Sequence, residues 1–316
     1  MSHWSFILSR LWNYLSLYFL KPFDAINDTL TASLISRLDW SGKFVEIGSG
    51  DGVFSYVMHG GAFPLWFDRY LMTDLTRKDI YDTHRQNVLP NTKLLNSPII
   101  SKAIDAKQSH VAKIKEIGFA REAICSPYEN LPLADESVEA IFYYTPHGLK
   151  NHDQAIREAR RILKPGGRML ILLYDSTFKK SFLCHRLARF FPDFLGHYFD
   201  RLDNGRYKEI TNLSNSPQGW REFFFSHGFS IQKYHVGLSS FAWKVYDIQT
   251  RPFFKVLIRL FNLMPKHFRT FFKFVWMLFW FPVLVIFYIL FSNEFIHISK
   301  INCYFAYELK KNTRNN

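Results

Sequence analysis

Five consecutive residues, Gly48-Ser49-Gly50-Asp51-Gly52, carry the clearest chemical signal in the sequence. Glycine at alternate positions lets a backbone turn through positive φ and lie against a ligand with no Cβ in the way. The apolar-rich Phe44-Val45-Glu46-Ile47 leads into them and Val53 to Met58 follows, an order that reads as buried strand, sharp turn and helix start. The spacing is G-x-G-x-G, one residue short of the dinucleotide fingerprint G-x-G-x-x-G. Glu46, Gly48, Ser49, Gly50, Asp51 and Gly52 are therefore candidate ligand-binding residues. Further on, Arg69-Tyr70-Leu71-Met72-Thr73-Asp74 reads as a second strand ending in a carboxylate, 22 residues after Gly52. An acid at about that separation (about 20 residues) meets ribose hydroxyls in such folds, which makes Asp74 a candidate for that contact. The competing reading of Asp74 is a helix N-cap.

A second signature runs from Ala123 to Asp175. It contains Glu129-Asn130-Leu131-Pro132, the strand-like Val138 to Tyr143, the amphipathic Asp153 to Leu163, and the helix stop Lys164-Pro165-Gly166-Gly167 before a buried strand from Arg168 to Leu173. Together with Glu46-x-Gly48-x-Gly50-x-Gly52, this pattern resembles the class I S-adenosylmethionine-dependent methyltransferases. The likeness is to the subfamily that includes the ubiquinone/menaquinone-biosynthesis C-methyltransferases, over roughly residues 41 to 175. The resemblance implies S-adenosyl-L-methionine as cofactor, its methionine half wrapped by the glycine loop. It also implies that the backbone N–H of Tyr128 meets the adenine ring, and that Tyr144, just after the fourth strand, borders the cofactor. One departure stands out. Pro127 occupies the position where the family usually has the aspartate that holds the adenine amine, with Ser126 and Glu129 as substitutes.

Methyl transfer from a sulfonium is an in-line displacement with a good leaving group already in place. The protein's main task is to align the acceptor and exclude water. A base is needed only where the acceptor must lose a proton. His147, in the loop Tyr143-Tyr144-Thr145-Pro146-His147 at the carboxyl end of the sheet, is the candidate catalytic base; a structural histidine is the alternative. The sequence presents no metal site and no acyl-transfer triad.

The elements that must position these residues alternate strand and helix. The expected fold is α/β: a doubly wound, mostly parallel seven-stranded sheet with a C-terminal antiparallel hairpin, the Rossmann-like methyltransferase fold. Residues 1–40 read as N-terminal helices, with Thr29 to Leu38 as the second, and 41–237 as the methyltransferase domain. Residues 300–316 hold the final strand and tail, so 238–299 form an insertion between the last two strands. Asn91 to Gln108 reads as a long loop or lid.

The net charge of +13 is unevenly placed. Residues 41–175 hold 17 Lys/Arg against 16 Asp/Glu, whereas residues 176–316 hold 20 against 8. A cluster of Arg251, Lys255, Arg259, Lys266, Arg269 and Lys273 precedes Phe274 to Phe291, a run with no charged side chain. Basic beside apolar is the pattern of an anionic membrane surface more than of RNA. Eighteen residues span only about 27 Å, Pro282 sits mid-run and both flanks belong to one sheet, so a re-entrant or in-plane helical hairpin is expected, with a buried helix of a soluble protein, or a single span if the last strand is not docked, as the alternatives. Cys125, Cys184 and Cys303 are isolated, which points to a reducing compartment. The apolar start carries Arg10 and lacks a small-residue cleavage site, unlike a signal peptide. These features imply an enzyme on the cytoplasmic side of a membrane, with a lipophilic small-molecule acceptor, an anionic membrane surface and no nucleic acid as partners. A non-catalytic membrane-tethered S-adenosylmethionine-binding protein and an RNA methyltransferase are the alternatives.

Overall fold

The computed structural model describes residues 2–37, 44–77, 79–84, 100–144, 149, 151–191, 193–236, 243–245, 253–291 and 304–313. Two N-terminal helices come first, α1 (His3–Leu17) and α2 (Pro22–Ser36). The second starts earlier than its sequence suggests, because Pro22 is preset for the first helical turn and Asp24 favours that end. They precede β1 (Phe44–Ile47) and α3 (Val53–Met58). The parallel series continues with β2 (Ile100–Asp105), α4 (Gln108–Ile117), β3 (Ala120–Cys125), β4 (Val138–Tyr143), α5 (His152–Ile162) and β5 (Leu163–Asp175).

Helix α5 shows why the pattern was readable. Asn151 caps it by accepting from the Gln154 N–H, and Ala155, Ile156, Ala159 and Ile162 form its buried face. The chain then passes directly into β5, with Gly166 at φ +73° inside the Lys164 to Gly167 turn.

After β5 come α6 (Leu183–Phe190), α7 (Phe194–Asn212), the two-residue β6 (Ser214–Asn215), α8 (Pro217–Ser226) and β7 (Phe229–Val236). The insertion carries α9 (Phe254–Asn262) and α10 (Lys266–Phe291), and β8 (Tyr304–Lys311) closes the sheet. The strand order is β3-β2-β1-β4-β5-β8-β7, with β6 paired to β5 off that path. Every pairing is parallel except those of β8, which runs antiparallel to both β5 and β7. The expected antiparallel closing pair is thus present, with the insertion between its strands.

One sheet face packs on α5 and α8; the other lies under α1, α2 and α3, joined there by α9 and α10. The expected helical hairpin is absent. α10 runs as one helix of 26 residues with Pro282 inside it. Contacts on both sides of the proline hold it against the N-terminal helices. Trp276 Nε1 donates to the Phe19 carbonyl at 2.8 Å, Phe281 stands edge-on to Trp12 at 5.2 Å, and Phe287 to Phe23 at 4.8 Å.

Candidate active site

The site forms where β2, β1 and β4 end side by side. Ile47 is in register with Ile104 on one side and Tyr143 on the other, so the residues following these strands share one rim of the sheet. The glycine loop turns away from that rim, pinned by the Gly48 and Ser49 N–H groups, which both donate to the Ile104 carbonyl at 2.9 and 3.1 Å. Gly48, Gly50 and Gly52 have φ of +78°, +58° and +79°, which explains the alternate spacing.

Their surroundings differ. A Cβ on Gly48 would lie 2.7 Å from the Tyr144 carbonyl oxygen, and one on Gly52 2.6 Å from Cε1 of Phe119. A Cβ on Gly50 would meet nothing within 4 Å. The middle glycine therefore faces open space, while its neighbours are hemmed in by protein.

The acid at the end of the second strand is Asp105, not Asp74. β2 begins at Ile100, inside the stretch expected to be a loop, because a longer segment than anticipated separates α3 from β2. Arg69–Met72 is a 3₁₀ turn instead of a strand, its Tyr70 ring held edge-on by Phe19 at 5.3 Å and by Phe254 at 5.6 Å. Asp74 stands at the surface, accepting from the Thr76 N–H at 3.0 Å and pairing with Arg77 at 3.2 Å. Asp105 is buried. Its Oδ2 accepts from the Gly50 N–H at 2.9 Å, and its Oδ1 from the Lys107 N–H at 2.9 Å and lies 3.1 Å from His110 Nδ1. The Tyr128 hydroxyl reaches Oδ2 at a long 3.4 Å, the weakest of the four contacts on this carboxyl and the one a ligand hydroxyl would displace. Burial disfavours the charged form of His110, yet hydrogen bonds to Asp105 and Asp79 bring its pKa up to about 9. The signal for Asp105 was the apolar pair Ala103-Ile104 running into an acid before a helical stretch.

The other predicted residues divide by role. Glu46 points into the fold, with both carboxyl oxygens 2.6 Å from Ser55 Oγ on α3. Burial pushes its pKa up to about 7, against the Ser55 hydrogen bond. Ser49 is buried, its Oγ 3.4 Å from the Glu46 carbonyl. Asp51 pairs with Arg69 Nη2 at 2.6 Å; burial alone would raise its pKa, but Arg69, with Lys113 and His110, holds it below the usual carboxylate range.

Tyr144 anchors to β1 through its N–H on the Ile47 carbonyl at 2.9 Å, and its ring packs on Phe54 at 4.9 Å. The turn holding Pro127 is closed by Ser126 Oγ donating to the Asn130 carbonyl at 2.7 Å. Glu129 accepts from the Asn151 N–H at 3.2 Å, so both substitutes for the missing aspartate are engaged locally. His147 lies outside the described residues. Among the described residues no His/Cys/Asp/Glu group is arranged to hold a metal.

The N-terminal helices roof this rim. Tyr14 donates to the Phe54 carbonyl at 3.0 Å, and Arg10 Nε to the Met58 carbonyl at 2.9 Å. They bring in a carboxyl the sequence did not flag, Asp28, which is 6% exposed and accepts from the Tyr144 hydroxyl at 3.4 Å.

Residues 45–171 match the family model described as a methyltransferase domain. No curated protein matches the sequence. Among solved structures, the chain resembles an S-adenosylmethionine-dependent methyltransferase of Thermotoga maritima, described as a possible histamine N-methyltransferase, at 18% identity over 75% of this chain and 86% of that one, with a TM-score of 0.42. A putative methyltransferase of Bacillus halodurans gives 13%, 90%, 98% and 0.43 on the same measures. Geranyl diphosphate C-methyltransferase of Streptomyces coelicolor, solved with Mg2+, geranyl diphosphate and S-adenosyl-L-homocysteine, gives 10%, 89%, 76% and 0.41. The site itself fits an adenosyl cofactor on two observations: the open space over Gly50, and a buried acid at the adjacent strand end that the glycine loop itself contacts. Residues 45–171 thus match a methyltransferase domain, and an S-adenosylmethionine-dependent methyltransferase, with S-adenosylmethionine as its cofactor, is the enzyme class this match supports.

Proposed function

We propose that the enzyme methylates a lipophilic acceptor at an anionic membrane surface. The observation that carries this reading is the outward face of α9 and α10. Leu263 is 82% exposed, Phe271 64% and Phe279 59%, and Leu260, Phe268, Leu278 and Ile286 extend the same apolar surface. A monomeric soluble protein rarely leaves so large a contiguous face to water. Lys255, Arg259 and Lys266 are exposed beside it, and the Lys266 ammonium stands 5.3 Å over the ring of half-exposed Trp66. Cations and an indole at the rim of an apolar face are what an interfacial helix presents to anionic headgroups. α10 is long and apolar enough to cross a membrane, but one side of it is committed to α1 and α2. We therefore place it in the plane of the interface. Lys273, counted in the basic cluster of the sequence, does not belong to that surface: it is buried and donates to the Phe67 carbonyl at 2.7 Å.

At the reaction centre, S-adenosylmethionine would supply an electrophilic methyl group on its sulfonium. In this reading Asp105 holds the ribose hydroxyls, the Gly48–Gly52 backbone lies along the methionine half, and the Tyr128 segment borders the adenine. Phe54 and Tyr144 wall the acceptor side and exclude water. His147, placed after β4 by the sequence, is the proposed proton acceptor where the substrate has a proton to lose. Membrane contact and the chemistry are linked through packing, since α10 supports the helices that roof the site.

The test is incubation of the protein with methyl-labelled S-adenosylmethionine and a membrane lipid extract, beside total RNA. Label should enter the organic phase. Label in RNA, or in no lipid fraction while cofactor binding is intact, would refute the acceptor class.

A further inference from the structure

The first turns of α10 and the segment Leu65-Trp66 bound a groove of about 540 Å³, lined by Lys266, His267, Phe271 and Phe274. Joined to it through Lys266 is a cleft of about 20 Å³ that Asp68, Arg269 and Lys273 share, with room for one water-sized polar group. Asp68 is 9% exposed, and its Oδ1 accepts from the Tyr70 N–H at 2.9 Å. Its Oδ2 is buried with no hydrogen-bond partner among the described residues, a costly state for a carboxyl. Burial raises the pKa of this group, opposed by the Tyr70 bond and by the nearby Lys273 and Arg269. Lys273 is spent on the Phe67 carbonyl, and Thr270 donates to the Lys266 carbonyl at 3.1 Å. That leaves Lys266 and Arg269 as the cations to meet a ligand, at the amino end of a 26-residue helix whose dipole also favours an anion. Trp66, Phe271 and Phe274 are exposed, and they continue the apolar face of α10 into the groove.

We propose that this groove binds one polyol phospholipid of the phosphatidylglycerol type, its phosphodiester on Lys266 and Arg269, a headgroup hydroxyl on Asp68, and its first methylenes against Trp66, Phe271 and Phe274. This deepens the membrane reading above and rests on it. Charge selects the headgroup. Cations outnumber the acid around the cleft, so a phosphate is favoured there, and Arg269 offers it a fork of donors. An ammonium entering the cleft would meet Lys266, Arg269 and Lys273, whereas a hydroxyl is neutral, fits the space and donates to Asp68. The aromatic walls select a lipid over a soluble phosphate ester. A discrete site also fixes how α10 is rotated in the interface, which diffuse attraction to Lys255 and Arg259 does not do.

The experiment is calorimetry on the full chain with dihexanoyl-phosphatidylglycerol kept below its aggregation concentration, beside the phosphatidylethanolamine and phosphatidylcholine of the same chain length and glycerol 3-phosphate. The phosphatidylglycerol should bind saturably, one per chain, and about tenfold more tightly than any of the other three. Lys266→Gln with Arg269→Gln should weaken it by about 10- to 100-fold, two charge-assisted contacts being lost. Arg259→Gln, a cation outside the groove, should leave it within about twofold. Equal affinity for the phosphatidylcholine overturns the Asp68 contact and with it the headgroup. Equal affinity for glycerol 3-phosphate makes this a site for soluble phosphate esters instead of lipid. Should the double variant fail to fold, the ligand ranking of the wild type decides alone. Flotation of the wild type with phosphatidylglycerol vesicles separates the two readings: flotation without binding of the short-chain lipid refutes the groove and spares the membrane, whereas loss of both refutes both.

Discussion

The three glycines of the loop share a left-handed backbone but differ in what surrounds them, and that contrast yields a graded prediction. Alanine at any of them carries the cost of the left-handed region for an L-residue, about 1–2 kcal/mol, partly offset by about 0.4–1 kcal/mol from a stiffer unfolded chain. For Gly50 nothing else is added, since its Cβ meets no protein atom within 4 Å. Gly50→Ala should therefore cost about 1 kcal/mol and lower the melting temperature by about 2–4 °C. Gly48→Ala adds a Cβ 2.7 Å from the Tyr144 carbonyl oxygen, a backbone atom that cannot swing aside. Overpacking of that kind costs about 1–3 kcal/mol more. Gly52→Ala meets the Phe119 ring at 2.6 Å, and a side chain yields more readily, so it should fall between the two.

Cofactor affinity should rank in the opposite sense to stability. The methyl of Gly50→Ala fills the space reserved for ligand, and S-adenosylhomocysteine affinity should drop by about 100-fold, or about 2.7 kcal/mol. Differential scanning fluorimetry without ligand and isothermal titration calorimetry with it measure the two effects separately. A Gly50→Ala protein that melts as low as Gly48→Ala, or that binds ligand as the wild type does, would refute the division of the loop.

Asp105→Asn should weaken S-adenosylhomocysteine by about 1–3 kcal/mol in calorimetry, because a buried charged acceptor is lost, whereas Asp74→Asn should leave affinity unchanged. Stability without ligand should fall as pH rises from about 4 to about 7, because burial raises Asp28 and Glu46 to about 7 and the folded chain then holds protons that the unfolded chain has released. Thermal melts across that range measure the slope, which Asp28→Asn should reduce. Charge reversal at Lys255, Arg259 and Lys266 should weaken binding to anionic vesicles by about 1 kcal/mol per charge in a flotation assay. Lys273→Met, by contrast, should leave vesicle binding unchanged.

What the sequence disclosed and what it hid follow from range. The glycine loop, β4, α5 and the closing strands were legible because each is specified within a dozen residues: alternate glycines, an apolar strand, Asn151 as a cap, a period-two pattern in the last strand. Asp105 was hidden by the length of chain before β2, which broke the usual spacing and promoted Asp74 in its place. Arg69 and Asp28 were illegible for a different reason. Each acquires meaning only from residues far away in sequence, Asp51 and Tyr144 respectively, and neither sits in a local motif. Pro282 misled because its local effect on a helix is opposed by tertiary contacts with Trp12, Phe19 and Phe23, which no window of the sequence contains.

The place of β8 in the sheet has a consequence for how the protein is made. It lies between β5 and β7 although it follows both in the chain, so β7 has no strand to join until residues 304–311 exist. α9 and α10 are synthesised before that strand, and their apolar face emerges while the sheet is still open. A membrane that captures this face early would shield it during the interval in which exposed apolar surface is most prone to aggregate. It would also confine both ends of the insertion to one side of the bilayer, because β7 and β8 must later pair edge to edge. On the proposed placement of α10 at a membrane, biogenesis and topology are joined: the last strand would complete the sheet only on the face where the glycine loop already lies.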